Sequence, residues 1–426
     1  MSFDNYDPYL HRDVSSGLSY CAALVHILKG AIGTGILAMP DAFKNSGYVI
    51  GTLGLVGFAI LITHCIHILL RSQYVICKMS KTSYMSYAES MQQALLMGPQ
   101  WLRSCSNCSV HIVNWFLILA QTGTCCAYVT FVAESIRKIL QVHLDFDMDV
   151  RIYMIILLVP FILLNLVKNL KYLAPFSLLA NLFQLIGIIV VLYYLWKDGL
   201  SFDNRDAAGN VTRWPLFIGT AIFSMKIIGV VLPVEYKMNN PKSFRGNFGV
   251  MNVAMVIIAL LYIIVGFTGY LKYGEYVRGS ITLNLPQKKF LATSITILYI
   301  MAIFLSHALQ AFSAIETLWD SYMKKCFTEG SKQYEIGEYV NRITFVTITV
   351  LLAIAIPQLA LIISLNGAFC GSMLNVIFPA IMEICIRHNK DDFDKGNFIK
   401  NLFVINFGIL AFIAGTYVAI RDMARK

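Results

Sequence analysis

Long apolar stretches separated by short polar runs dominate the chain. Segments almost free of charge cover about Tyr20–Met39, Ile50–Leu70, Val110–Ala133, Ile152–Val167, Ala174–Trp196, Leu216–Val234, Val250–Leu271, Leu291–Leu318, Ile343–Ile356, Gln358–Ile386 and Leu402–Ile420. A helix needs roughly 20 apolar residues to cross about 30 Å of hydrocarbon. The pattern therefore predicts an all-α polytopic membrane protein of about 11 transmembrane helices. Pro357 alone separates the ninth segment from the tenth. One continuous helix there would run about 66 Å, twice the membrane, so two spans are expected.

Composition agrees with that pattern. Hydrophobic residues make up 57% of the 426 residues and charged ones only 14%. A soluble domain carries about 25% charged residues, so soluble and disordered classes are excluded. The net charge of +10 is read as Lys and Arg beside headgroups, not as nucleic-acid binding. A single transmembrane domain is expected over residues 20–420. It follows a cytoplasmic tail, 1–19, and precedes a short C-terminal tail, 421–426. The tail is polar, and the first span is too long for a cleaved signal, so it should be retained as an anchor. An inside N-terminus puts 18 Lys and Arg on the cytoplasmic side against 14 opposite, the direction the positive-inside rule requires. It also puts the Asn210-Val211-Thr212 sequon outside, where Asn210 can carry a glycan. The ten cysteines lack the paired spacing of a zinc site and are read as free thiols.

Two spans carry unusual interruptions. The first reads Lys29-Gly30-Ala31-Ile32-Gly33-Thr34-Gly35 near its middle, followed by Pro40. Each glycine costs about 1 kcal/mol relative to Ala in a helix, so the cluster marks a place to unwind. Bare backbone at that depth is tolerated where it lines a cavity, and its N–H groups can receive a carboxylate. The sixth span carries Gly219, Phe223, Ser224, Lys226, Gly229 and Pro233. It stands five positions after the first, so the second five-helix set inserts upside down. That gives a 5+5 inverted repeat, about 20–196 and 216–386, with helices 1 and 6 broken and an extra helix at 402–420. Matching interruptions in two inverted halves point to a transporter site. The alternative is that the glycines only let helices approach closely.

Ionisable residues inside spans are costly and usually face a cavity or a partner. His26 and Lys29 share a face beside the glycine cluster, and a histidine there can carry a proton. Lys226 lies too deep to snorkel, so it should pair with a carboxylate, donate to exposed carbonyls or be neutral. His64 and His67 share a face but lack the further ligand that a metal site requires. No metal and no cofactor are expected. Glu316 and Glu383 sit towards span ends, near water or lysine partners.

With these residues in view, the chain resembles the proton-coupled amino-acid transporters of the amino acid/auxin permease group. The likeness is most specific at His26-Ile27-Leu28-Lys29-Gly30, Ile32-Gly33-Thr34-Gly35-Ile36-Leu37 and Pro40. It recurs at Gly219-Thr220-Ala221-Ile222-Phe223, Gly229-Val230-Val231-Leu232-Pro233-Val234-Glu235 and Asn240-Pro241. The resemblance implies a LeuT-like inverted-repeat fold and a zwitterionic amino acid held at the breaks of spans one and six. It also implies a proton-coupling role for His26. The chain departs from the family pattern at Ala31, usually Asn, and at Lys226-Ile227, usually an acidic residue then Gly. The outside loops also lack the cysteines of a disulfide common in the family.

The leading expectation is a proton-coupled symporter of small neutral amino acids in the plasma or endolysosomal membrane. The substrate would be held by Gly30, Gly33, Thr34, Gly35, Phe223, Ser224, Lys226 and Gly229. The expected partners are the amino acid, protons and the lipid bilayer, with no nucleic acid. Two alternatives remain: an amino-acid sensor without net flux, and an uncoupled exchanger in which Lys226 replaces the coupling cation. An enzyme is not expected, because a membrane hydrolase needs a metal-ligand constellation or paired acids in one cavity.

Overall fold

The computed structural model describes residues 6–12, 17–168, 170–197, 199–389 and 394–425. Parts of both expected tails, and Lys390 among the counted cytoplasmic charges, lie outside them. Seventeen α-helices occur among the described residues, and no strand. They are α1 (Tyr20–Ala31), α2 (Thr34–Ser46), α3 (Tyr48–Ser80), α4 (Tyr87–Met97), α5 (Gln100–Arg103), α6 (Ser106–His143), α7 (Val150–Asn165), α8 (Leu170–Trp196), α9 (Trp214–Ser224), α10 (Ile228–Tyr236), α11 (Lys242–Arg245), α12 (Val250–Tyr273), α13 (Phe290–Leu318), α14 (Lys332–Ala355), α15 (Leu359–Asn366), α16 (Phe378–Asn389) and α17 (Lys395–Ala424).

The chain is an all-helical, multi-pass membrane protein. Among the described residues nine helical segments are long and apolar enough to cross a bilayer, ten when α1 and α2 count as one bent span. The α7 helix is apolar but only 16 residues long. The third segment continues well past its expected limits: α6 runs 38 residues, because the helix goes on beyond both ends of the apolar stretch. The expected tenth span is not regular either. Between α15 and α16 the backbone widens into two consecutive π-turns, Gly367–Gly371 and Met373–Ile377. A helix commonly departs from the i→i−4 pattern in this way at functional sites.

The core is built around the interrupted segments. The α2 helix packs on α9 and α12, and α9 packs on α15 and the first π-turn. Small residues set those distances. A Cβ on Gly35 would stand 2.8 Å from the Ser224 Cα, and one on Gly219 only 2.2 Å from the Ser364 carbonyl oxygen. In a membrane such close approach replaces the hydrophobic drive that assembles soluble bundles. Tail, α3, α10 and α11 meet at one end of the molecule. Arg12 Nη2 contacts Glu235 Oε2 at 2.8 Å, Tyr74 donates to Asp7, and Leu18 pairs with Met238.

Candidate functional site

The first break follows from the glycine cluster. The α1 helix ends at Ala31, Ile32 and Gly33 run extended, and α2 starts at Thr34. The two halves are bent by 54°. Gly33, as the residue before α2, supplies no side-chain cap. The second break spans Met225–Ile227, between α9 and α10, and α10 likewise starts without a side-chain cap. Helix ends leave backbone groups unsatisfied, so both breaks must find partners or border a cavity.

The carbonyl ends find one shared partner. The Tyr262 hydroxyl of α12 lies 2.7 Å from the Ala31 carbonyl oxygen and 2.9 Å from that of Ser224. Its single proton serves the last turns of α1 and α9 together. The amide ends border a cavity of about 340 Å³. Every residue expected at the site lines it: Gly30, Gly33, Thr34, Gly35, Phe223, Ser224, Lys226, Gly229 and His26. Asn210 is elsewhere, exposed in the loop before α9, with its Oδ1 accepting from Thr212 N at 3.0 Å.

The glycines divide between the two roles foreseen for them. Gly35 is a packing residue, held against the Ser224 backbone. Gly30 sits against the Val230 side chain, whose Cγ2 a Cβ would meet at 2.8 Å. A Cβ on Gly33 would meet the Tyr128 hydroxyl at 3.4 Å, an ordinary contact, and one on Gly229 would meet nothing within 4 Å. Gly229 therefore leaves space rather than admitting a neighbour.

Lys226 takes the second of its three foreseen options. Its Nζ donates to Thr124 Oγ1 at 2.8 Å and to the Ala120 carbonyl at 3.3 Å, with Gln121 Oε1 at 3.5 Å. The Phe223 ring centroid lies 5.6 Å away. Among the described residues no carboxylate pairs with it. Asn366, the last residue before the first π-turn, donates to the same Ala120 carbonyl at 2.9 Å. Lys226 thus ties the second break to α6.

Sequence reasoning missed the other walls. Gln121, Thr124 and Tyr128 of α6, Gln184 of α8 and Gln310 of α13 complete the cavity. A polar side chain recurring on one face of an otherwise apolar span was the available signal. His26 is exposed on α1, at the end of the cavity nearer the tail, with Lys29 beside it. The opposite end is shut by the Gly35–Ser224 approach and by Phe43 edge-on to Phe217 at 6.4 Å. A second cavity of about 810 Å³ lies at that far end, lined by Arg137, Arg213, Arg278 and Arg425 with Asp41, Glu134 and Asp422. It is larger but borders neither break. Glu383 sits among Arg387, Lys400 and Asn401, the cationic surroundings expected of it.

Interrupted helices around a central polar cavity, in an all-helical membrane bundle, are the plan of a carrier. Solved structures share the fold. It is similar to the inward-facing conformation of Mhp1, with a TM-score of 0.58 at 13% identity over 98% of this chain and 91% of that one. It is also similar to MhsT in complex with L-phenylalanine, with a TM-score of 0.54 at 11% identity over 95% and 99%. Residues 16–421 match the transmembrane amino acid transporter protein family, and the chain belongs to that family of transporters, which are not enzymes. It is 35% identical to the proton-coupled amino acid transporter-like protein pathetic of Drosophila melanogaster, over 99% of this chain and 89% of that protein. It is 30% identical to vacuolar amino acid transporter 4 of Saccharomyces cerevisiae, over 92% of this chain and 57% of that one.

Proposed function

We propose that this protein is a secondary transporter of small neutral amino acids that works by alternating access around the breaks of α1–α2 and α9–α10. The observation that carries the reading is the cavity between two half-helix starts that no side chain caps. Uncapped amide ends carry partial positive charge and favour a substrate carboxylate. The volume of about 340 Å³ suits a small solute. The break at α9–α10 corresponds to that at α1–α2 in an inverted 5+5 repeat, with α7 taken as the fourth of eleven spans and α17 as the eleventh.

In this reading His26 carries the coupling proton, because it is exposed at the open end of the cavity, where a proton can leave to water. With the tail in the cytoplasm, the cavity opens inward. The membrane is the plasma or an endolysosomal one, in keeping with the vacuolar name of the yeast relative.

One observation favours a second reading. Lys226 supplies a fixed cation bonded to neutral groups of α6, where it replaces a driving cation and leaves an uncoupled exchanger. Uptake of a panel of labelled amino acids into proteoliposomes, at two external pH values, separates the two. The symporter accumulates a small neutral amino acid when the outside is acidic, and the His26→Asn variant loses that pH dependence. An exchanger shows equal uptake at both pH values and needs amino acid on the far side. Binding without flux under every condition contradicts both and leaves a sensor.

A further inference from the structure

A groove of about 550 Å³ runs between α3 and α12, away from the central cavity. Its α3 wall includes Val56, Ile60, His64, His67 and Arg71. These recur at three- and four-residue steps and so share one helical face. Asn252, Val256, Leu260 and Ile263 form the facing wall. The two helices run in opposite directions, so Arg71 and Asn252 meet at one end and Val56 and Ile263 at the other. The far end is apolar and open to lipid: Ile60 is 66% exposed, Val256 59% and Leu260 54%. From Val56 to Arg71 the groove runs about 22 Å along the helix, enough for an acyl chain in one leaflet of a roughly 30 Å hydrocarbon core.

The near end is basic. Arg71 and Arg245 line it with Asn247, and among the described residues no Asp or Glu lines the groove. Arg71 is exposed and, among the described residues, has no hydrogen-bonding or ionic partner. Arg245 is held by Tyr9 and by the Tyr74 ring at 5.5 Å and, among the described residues, by no carboxylate. His67 Nε2 donates to Asn252 Oδ1 at 2.7 Å across the two walls, fixing the width of this end. Two arginines without acidic partners among the described residues, above a lipid-facing apolar trough, are the counterpart of a phosphate headgroup with its acyl chains.

We infer that the α3–α12 groove binds one anionic phospholipid, its headgroup on Arg71 and Arg245 and a chain along Ile60, Val256 and Leu260. Charge complementarity selects this occupant over a partner helix, whose apolar face leaves both guanidiniums unpaired.

Native mass spectrometry of the full chain, released from detergent micelles doped with dioleoyl-phosphatidylserine or with dioleoyl-phosphatidylcholine, tests this directly. One serine lipid is retained and the choline lipid is not. Arg71→Gln lowers the retained fraction about fivefold, the weight of one cation at a charged membrane surface. Leu260→Trp fills the trough and lowers it as well. Lys325→Gln, an exposed cation outside the groove, leaves it unchanged. Elution volume confirms that each variant is folded. Equal retention by parent and Arg71→Gln, equal retention of the choline lipid, or an equal loss in Lys325→Gln overturns the inference. So does displacement of the lipid by free glycerophosphoserine, which makes the site one for a soluble anion.

Discussion

Tyr262 and Ala31 are joined by a hydrogen bond of 2.7 Å, although 231 positions separate them in the chain. The same hydroxyl lies 2.9 Å from the Ser224 carbonyl, so one side chain holds the ends of two half-helices together. In Tyr262→Phe both carbonyls are left bare. A membrane hydrogen bond of this kind contributes about 0.6–1.7 kcal/mol. The purified variant should unfold at a lower temperature than the parent and transport more slowly. An unchanged unfolding midpoint with unchanged uptake contradicts the role given to Tyr262.

The two kinds of glycine should respond differently to a methyl group. Gly35→Ala drives a Cβ to 2.8 Å from the Ser224 Cα, where backbone must move. Overpacking of this sort costs about 1–3 kcal/mol, and the yield of monodisperse protein should fall. Gly229→Ala meets nothing within 4 Å and sits in the first turn of α10, where alanine is a better helix former. Its yield should match or exceed that of the parent. Size-exclusion profiles compare the two, and equal behaviour of both variants refutes the division.

The tail is anchored by a buried ion pair. Arg12 Nη1 donates to the Glu235 carbonyl at 2.7 Å and Nη2 to its carboxylate at 2.8 Å, and the two side chains are only 7% and 8% exposed. Removing one partner of such a pair costs about 3–5 kcal/mol, because it strands the other charge. Arg12→Ala should therefore lower the unfolding midpoint sharply and expose the tail to protease, while Arg12→Lys gives a smaller loss. If Arg12→Ala digests at the parental rate, the clasp is not a structural tie.

Asn210 is exposed beside α9. Expressed in a eukaryotic cell, the parent should carry a glycan that Asn210→Gln and Thr212→Ala both remove, seen as increased gel mobility. A parent whose mobility is unaffected by a glycan-cleaving enzyme contradicts the outside assignment of that loop.

The breaks were legible because their signals are local. Three glycines in six residues weaken a helix wherever they stand, and a mid-span lysine demands an explanation. Yet the second break lies at Met225–Ile227, not at Gly219, which packs against Ser364. Glycine marks both unwinding and close approach, and only the neighbouring helix distinguishes them. Tyr262 and Asn366 were not legible as site residues, and Thr124 only through its spacing from Gln121 and Tyr128 on one face of α6. Most of each span is apolar all round, so hydrophobic periodicity alone does not reveal which face turns inward. Nor did the sequence point plainly to the π-turns after Asn366, since no proline or charge lies within them. Lys226 was recognised as consequential, but its partners on α6 come from more than 100 positions away.

The central claim is that the cavity at the two breaks is where substrate passes. Gly229→Leu tests it most directly, because a Cβ at Gly229 meets nothing within 4 Å and the residue lines the cavity. The measurement is uptake of labelled alanine into proteoliposomes, with elution volume and unfolding midpoint recorded on the same preparation. The account predicts a protein as well folded as the parent whose uptake falls to the level of empty liposomes. Parental uptake by a folded Gly229→Leu protein contradicts it.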